Sequence, residues 1–276
     1  MKQVTMIEDV PADIDPVWAG DGTQLPEWFV SALKVPREEG YVVIDGARAH
    51  YLRWGDREKP KVLMTHGLLA HARCFAFIAP FLAADYDVVA FDLGMGDSEM
   101  RGHAAPSARG REFAEIAAAL DMFADGQKPT IIAHSFGAGA ALTAVNQSPD
   151  AYSGVVVCDL MIMRPERLEQ YWNLRRASPG SGNPDKPKNR YPSYEAARAR
   201  YILSPPQPVG EPFLLDYIAY HSLRRDGNEW TWKFSTEVFR TSNKSDEWLT
   251  MGERLVTAPG RKAIVHGGNS QLFNRD

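Results

Sequence analysis

Five short apolar runs punctuate this chain, at 61–65, 86–91, 129–134, 153–158 and 262–266. They are rich in Val, Ile and Ala and lack the polar alternation of a half-exposed strand, so they suit strands buried on both faces, as a parallel sheet requires. Helical patterns near 72–83, 109–124 and 137–147 fall between the earlier runs. Ahead of them, residues 41–44 and 48–54 flank Asp45-Gly46, a two-residue turn signal that predicts an antiparallel hairpin. Strand alternating with helix predicts an α/β fold built on a doubly wound, mostly parallel sheet, whose ligand site lies at the carboxyl ends of the strands. His66, Asp92, Ser135 and Asp159 all fall at such ends.

Two regions depart from this pattern. Residues 1–38 form an extension, too rich in proline for a long helix but carrying Trp18, Trp28 and Phe29, and are expected to pack on the core as a clasp. From 160 to 255 prolines and glycines cluster at 179–192 and 205–212, and helical stretches at 193–203 and 212–225 carry many tyrosines and arginines. The organisation expected is therefore an extension (1–38), the first part of the core (39–159), a helical insertion (160–255) and a later core strand (256–276).

Composition narrows the function classes. With 276 residues and 44% hydrophobic content the chain can bury one sizeable core. A formal charge of −4 and the absence of a long Lys/Arg cluster argue against nucleic acid as a partner. No run approaches ~18 apolar residues, so no membrane span is expected, and the acidic, proline-broken start does not read as a secretory signal. A cytoplasmic location follows as the expectation. The two cysteines, Cys74 and Cys158, fall in a helical pattern and a buried run, which suits reduced core thiols better than a disulfide or a metal pair. No set of histidines and acids has ligand spacing with a supporting third residue, so no metal is expected. Nor is a cofactor: Gly94-Met95-Gly96 runs into Asp97, whose charge would repel a phosphate.

The chemistry concentrates in three segments. Thr130-Ile131-Ile132-Ala133-His134-Ser135-Phe136-Gly137 passes from an apolar strand through a serine into a Gly/Ala-rich helix, which reads as a nucleophile elbow with Ala133 where the usual motif has glycine. Upstream, strand 61–65 runs into His66-Gly67-Leu68, where backbone amides could stabilise an oxyanion, an effect worth roughly 3 kcal/mol per donor. The natural donors are Leu68 and Phe136, while His66 itself reads better as a residue bonded locally within its turn. Between them, Asp92-Leu93-Gly94-Met95-Gly96-Asp97-Ser98 follows strand 86–91.

H-G-x, D-L-G-M-G-D-S and H-S-F-G, in that order, resemble the α/β-hydrolase superfamily, in particular its lid-bearing bacterial serine hydrolases, over residues 41–276. The resemblance implies that 160–255 is a lid and that Ser135 is a nucleophile. It implies attack on a carbonyl of a small, fairly apolar molecule, an ester, lactone, amide or carbon–carbon bond of a ring-fission product, through an acyl-enzyme. His134, Trp172 and His221 are candidates for the pocket lining, with Tyr217, Tyr220, Trp230 and Trp232 beside them. Each of the lid aromatics can equally serve to glue lid to sheet. Homo-oligomer formation is compatible with the sequence.

A serine nucleophile needs a base, and the base an acid to hold its tautomer. Many relatives carry that acid after the strand at 262–266, where this chain reads Gly267-Gly268-Asn269-Ser270-Gln271. Lid-bearing relatives of that kind have an aspartate at the position of Asp159, which becomes the candidate acid; capping the loop into the insertion is its alternative role. Relatives place the histidine after one more strand, followed by a last helix. None of the seven histidines (50, 66, 71, 103, 134, 221, 266) stands there. The expectation is therefore a chain that stops short of its base and is hydrolytically weak. If a histidine within 1–276 serves instead, His221 reaching down from the lid is the first choice. A binding protein of this fold without turnover is the alternative function.

Overall fold

The computed structural model describes residues 4–6, 25–101, 105–177, 187–203, 207–238, 246–270 and 272–273. In chain order the strands of the main sheet are β1 (Val4–Met6), β2 (Glu38–Ile44), β3 (Ala47–Trp54), β4 (Lys61–Thr65), β5 (Asp87–Phe91), β6 (Thr130–His134), β7 (Gly154–Cys158) and β11 (Arg261–Val265). They lie in the order β1-β2-β3-β5-β4-β6-β7-β11. From β5 through β11 every pairing is parallel, and β1, β2 and β3 complete the sheet with antiparallel pairings. The hairpin turns as its residues dictate: Asp45 (φ 50°) and Gly46 (φ 81°) both take left-handed backbone, the two-residue turn whose twist matches its strands.

Strand alternation divides the core into two layers. Leu63, Val89, Phe91, Ile131, Ala133, Val155 and Val157 point to one face, where α2 (Pro106–Ala119), α3 (Phe136–Gln147) and α7 (Met251–Thr257) cover them. Leu52, Trp54, Val62, Met64, Val88 and Ala90 point to the other, against α1 (Glu27–Leu33), the turns after β4, and α6 (Pro212–Ser222). Phe29 of α1 is fully buried among Phe77, Phe213 and Tyr217. Trp18 lies outside the described residues.

Two expectations need correction. The helix expected at 72–83 is a pair of short 3-10 turns, Ala72–Phe75 and Ala79–Phe81; Pro80 removes a backbone donor and disfavours helical geometry at the residue before it. The connection from β7 to β11 is not purely helical. Besides α4 (Pro165–Ala177), α5 (Tyr194–Arg198) and α6 it holds an antiparallel sheet of β8 (Arg190–Tyr191), β9 (Leu223–Asp226) and β10 (Glu229–Trp232), in the order β8-β10-β9. The helix expected over 212–225 gives way to strand at Leu223, and Gly227 (φ 65°) turns the hairpin.

The ends of the main sheet differ from its centre. Every residue of β4 and β5 is buried, whereas every residue of β11 is exposed, Ile264 and Val265 included.

Candidate active site

The turn between β6 and α3 is built by steric exclusion. Ser135 has φ 51° and ψ −117°, a left-handed conformation costly for any residue with a Cβ. Its N–H donates to the Cys158 carbonyl of the neighbouring strand at 2.8 Å, which ties the turn to β7. The small residues after it have specific reasons to be small. A Cβ on Gly137 would stand 2.5 Å from the His66 carbonyl, and one on Gly139 3.0 Å from the Trp248 ring. Ala133, where the motif has glycine, is fully buried in the core.

The loop after β4 meets this turn edge to edge. A Cβ on Gly67 would lie 2.9 Å from His134 Nδ1 and 3.3 Å from Ser135 Cβ, so the glycine leaves room for this close approach. His66 is spent on holding the loop: its Nδ1 donates to the Gly67 carbonyl at 2.8 Å while its Nε2 accepts from the Leu93 N–H at 3.0 Å, which fixes the tautomer. Burial lowers its pKa despite Asp92 nearby. The N–H groups of Leu68 and Phe136 make no hydrogen bond among the described residues, and Phe136 is the first residue of α3, where a helix has no internal acceptor to offer.

Asp159 follows β7 directly, with φ 48° and its N–H donating to the Val265 carbonyl at 2.8 Å. Its Oδ1 is buried and without a hydrogen-bond partner among the described residues. The place after β11 is a simple turn instead: Ser270 Oγ accepts from the N–H groups of Leu272 and Phe273. His134, the last residue of β6, is exposed as a whole, yet enough protein surrounds its ring that desolvation lowers its pKa against the opposing pull of the Asp159 carboxylate.

The other candidates divide. Trp172 of α4 is partly buried beside Tyr171 and packs, as Leu68 does, on the core cluster that includes Phe136. His221 of α6 sits in a nest of Tyr217, Tyr220 and His71, with ring centroids 4.5, 5.2 and 6.3 Å away. Burial, then the charges of Arg73, His71 and Lys233, hold its pKa well below the ordinary value. Its described neighbours do not include Ser135 or Asp159. Cys74 and Cys158 are free thiols, and burial pushes that of Cys74 up to about 12, unsuited to nucleophilic work.

One charged cluster escaped the sequence reading. His50 Nδ1 lies 3.0 Å from Asp92 Oδ2 and its Nε2 3.0 Å from Glu39 Oε1. Asp92 also accepts from the N–H groups of Ala72 (2.5 Å) and Asp97 (2.7 Å), and Asp97 pairs with Lys233 of the insertion at 2.8 Å. His50, Asp92 and Asp97 have donor atoms close enough to share a cation, but these internal bonds already engage them.

In sequence, no curated protein matches this chain. Among solved structures it resembles the thioesterase domain from the curacin biosynthetic pathway, at 20% identity and a TM-score of 0.67, over 87% of this chain and 86% of that one. It also resembles an esterase of M. tuberculosis at 19% identity and a TM-score of 0.66, over 91% and 85% of the two chains. An α/β hydrolase from Novosphingobium aromaticivorans aligns at 16% identity and a TM-score of 0.58, over 84% and 90%. At these identities the likeness speaks for the fold. No described helix is long and apolar enough to cross a membrane. The α/β hydrolase family profile matches residues 62–270, and with the strand order and the elbow in place the chain belongs to that family.

Proposed function

We propose that this protein is a serine hydrolase that attacks the carbonyl of a small, fairly apolar substrate, such as an ester, a lactone or the carbon–carbon bond of a ring-fission product, through an acyl-enzyme. The observation that carries this reading is Ser135, held in left-handed backbone between β6 and α3 beside the unbonded amides of Leu68 and Phe136. Strain of about 1–3 kcal/mol is retained where the surrounding structure enforces it, most often at functional sites. In this reading Ser135 Oγ attacks the carbonyl carbon, and the two amides receive the charge that develops on the carbonyl oxygen. Asp159 is the acid, supported by its unpartnered Oδ1 at the end of the strand next to Ser135. The segment between β7 and β11 acts as a lid, with Trp172 and His221 lining the pocket with His134, and excludes water during the reaction. Esterase and thioesterase structural neighbours are consistent with carbonyl chemistry.

The test is covalent labelling. Ser135 should react with a fluorophosphonate probe, and Ser135→Ala should abolish that labelling and cut any turnover of short-chain aryl esters on the order of 10³-fold or more, because nucleophile, base and acid act as a unit. Labelling that survives the substitution would reject the nucleophile. Ligand retention without labelling would favour a binding protein.

A further inference from the structure

We propose that His71 is a positioning residue, one that ties the insertion to the loop carrying the Leu68 amide, so that this amide is aimed only while the insertion is seated on the core. This rests on the serine-hydrolase reading above, in which the amide receives charge from the substrate carbonyl.

The loop from His66 to His71 is a strained bridge between two anchors. Ala70 N–H donates to the Gly67 carbonyl at 3.1 Å, which folds residues 67–70 into a turn with Leu68 and Leu69 at its centre. Leu69 takes left-handed backbone (φ 62°) at a turn position that favours glycine. A leucine persists there where the surrounding structure holds the turn. The near anchor is His66, bonded to the Gly67 carbonyl and the Leu93 N–H. The far anchor is the buried His71, and its partners belong to the insertion: Nε2 lies 3.1 Å from both the Ile218 carbonyl and Ser222 Oγ of α6.

A carbonyl can only accept, so Nε2 carries the ring proton and donates it. Ser222 Oγ gives its own proton to the Ile218 carbonyl at 2.8 Å, which leaves its lone pairs for His71. The other ring nitrogen, Nδ1, faces the Cys74 thiol, with Sγ at 3.8 Å. Burial lowers the His71 pKa to about 4, so the ring stays neutral and the tie keeps its direction near neutral pH.

A second link closes a circuit. Ala72, next to His71, donates its N–H to Asp92 Oδ1 at 2.5 Å, and Asp92 Oδ2 accepts from the Asp97 N–H at 2.7 Å. Asp97 pairs with Lys233, whose N–H donates to the Ser222 carbonyl at 2.9 Å. The seam between core and insertion is thus crossed at neighbouring points, and both crossings return to Ser222. Without the seated insertion Leu69 would relax toward ordinary backbone and carry the Leu68 N–H away from the oxyanion position.

The experiment compares the parent with Ser222→Ala, His71→Ala, His71→Gln and the double variant of the two alanine changes. It reads amide hydrogen exchange over residues 67–71, fluorophosphonate labelling rate, and kcat and KM for short-chain aryl esters. Ser222→Ala changes only the insertion side of the tie. It should speed exchange over 67–71 and lower labelling rate and kcat by about tenfold, with KM within a few-fold, because losing a whole oxyanion donor costs about 10²- to 10³-fold in kcat and this change displaces one in part. His71→Ala should approach about 10²-fold, and the double variant should cost no more, because the two residues act through one bond. His71→Gln, whose amide nitrogen can donate where Nε2 did, should return to within a few-fold of the parent. The proposal is overturned if exchange over 67–71 keeps the parent rate in both alanine variants, if the losses fall on KM with kcat kept, or if His71→Gln is no better than His71→Ala at an equal thermal midpoint. In those cases parent labelling that is lost in Ser135→Ala leaves the nucleophile standing. A parent that does not label overturns both readings.

Discussion

Two histidine–aspartate stations stand at the carboxyl ends of this sheet, and they are built to opposite specifications. At His50–Asp92 both imidazole nitrogens face carboxylates at 3.0 Å and Asp92 takes two backbone N–H groups besides, although Glu39 Oε2 is left without a hydrogen bond. A Cβ on Gly96 would lie 2.5 Å from Asp92 Oδ2, so the loop after β5 closes tightly around the carboxylate. At His134–Asp159 the ring is unbonded and a buried carboxylate oxygen has no partner. An unsatisfied buried group costs about 1–3 kcal/mol, and a bonded one contributes about 1 kcal/mol net. The first station therefore stabilises the fold, whereas the second holds free energy that folding alone does not require. The more fully bonded cluster holds loops together, and the less bonded pair is where the proposed chemistry would act.

The comparison breaks or sharpens first on the two aspartates. Asp159→Asn should keep the fold, because asparagine tolerates left-handed backbone and the change removes a buried unpartnered charge. Turnover should fall on the order of 10⁴-fold as the base loses its orienting anion. Asp92→Asn should do the reverse, losing about 3–5 kcal/mol in urea unfolding, since an amide nitrogen would face donors and the His50 charge would be left buried without its partner. Equal stability losses in the two variants would erase the distinction.

The pH dependence of stability is next. Burial alone would lower the His50 pKa, but its bonds to Asp92 and Glu39 outweigh that and raise it from 6.5 to about 9. Burial alone would raise the Glu39 pKa, but the bond from His50 and the charges of Arg73, His50 and Arg37 lower it from 4.5 to about 2. The His50 contribution is thus complete below about pH 6.5 and is lost as pH rises through 9; that of Glu39 is complete above about pH 4.5 and is lost as pH falls toward 2. Unfolding free energy should decline on both flanks, by up to about 1.4 kcal/mol per pH unit on the alkaline one. His50→Gln should flatten that alkaline decline; a variant as steep as the parent would show that His50 is not its source.

The smallest effect is expected at Gly67→Ala. The added methyl meets a ring edge and a Cβ at the elbow, and the His134 ring can swing aside, so stability should drop by about 1 kcal/mol. Ester turnover should fall at least tenfold, because the ring and the amide loop are displaced from Ser135. Unchanged turnover would mean that loop and elbow need not touch.

Much of this was legible in the sequence because local rules and global fold agree. The five apolar runs each became a parallel strand within a residue or two, and Asp45-Gly46 turned as its residues dictate. The elbow was readable because glycines at 137 and 139 answer close approaches to His66 and Trp248. The sheet within the insertion was missed although Gly227-Asn228 is a two-residue hairpin signal as Asp45-Gly46 is, because Tyr217, Tyr220 and His221 at helical spacing drew the helix past its end at Ser222. The His50–Asp92–Glu39 cluster was missed for a different reason. Its members are separated by up to 53 positions and are joined only by the pairing of β2 with β3 and of β3 with β5, which no local pattern encodes.

The backbone at Ser135 also bears on how this protein would respond to selection in the laboratory. At φ 51° and ψ −117° glycine is at ease and every other residue is not. A library sorted only for heat resistance or expression would enrich Ser135→Gly, since relief of that conformation exceeds the roughly 1 kcal/mol of extra chain freedom that glycine brings to the unfolded state. If Ser135 is the proposed nucleophile, the hardiest clones would then be the inert ones, and a stabilisation campaign on this scaffold needs an activity gate at each round.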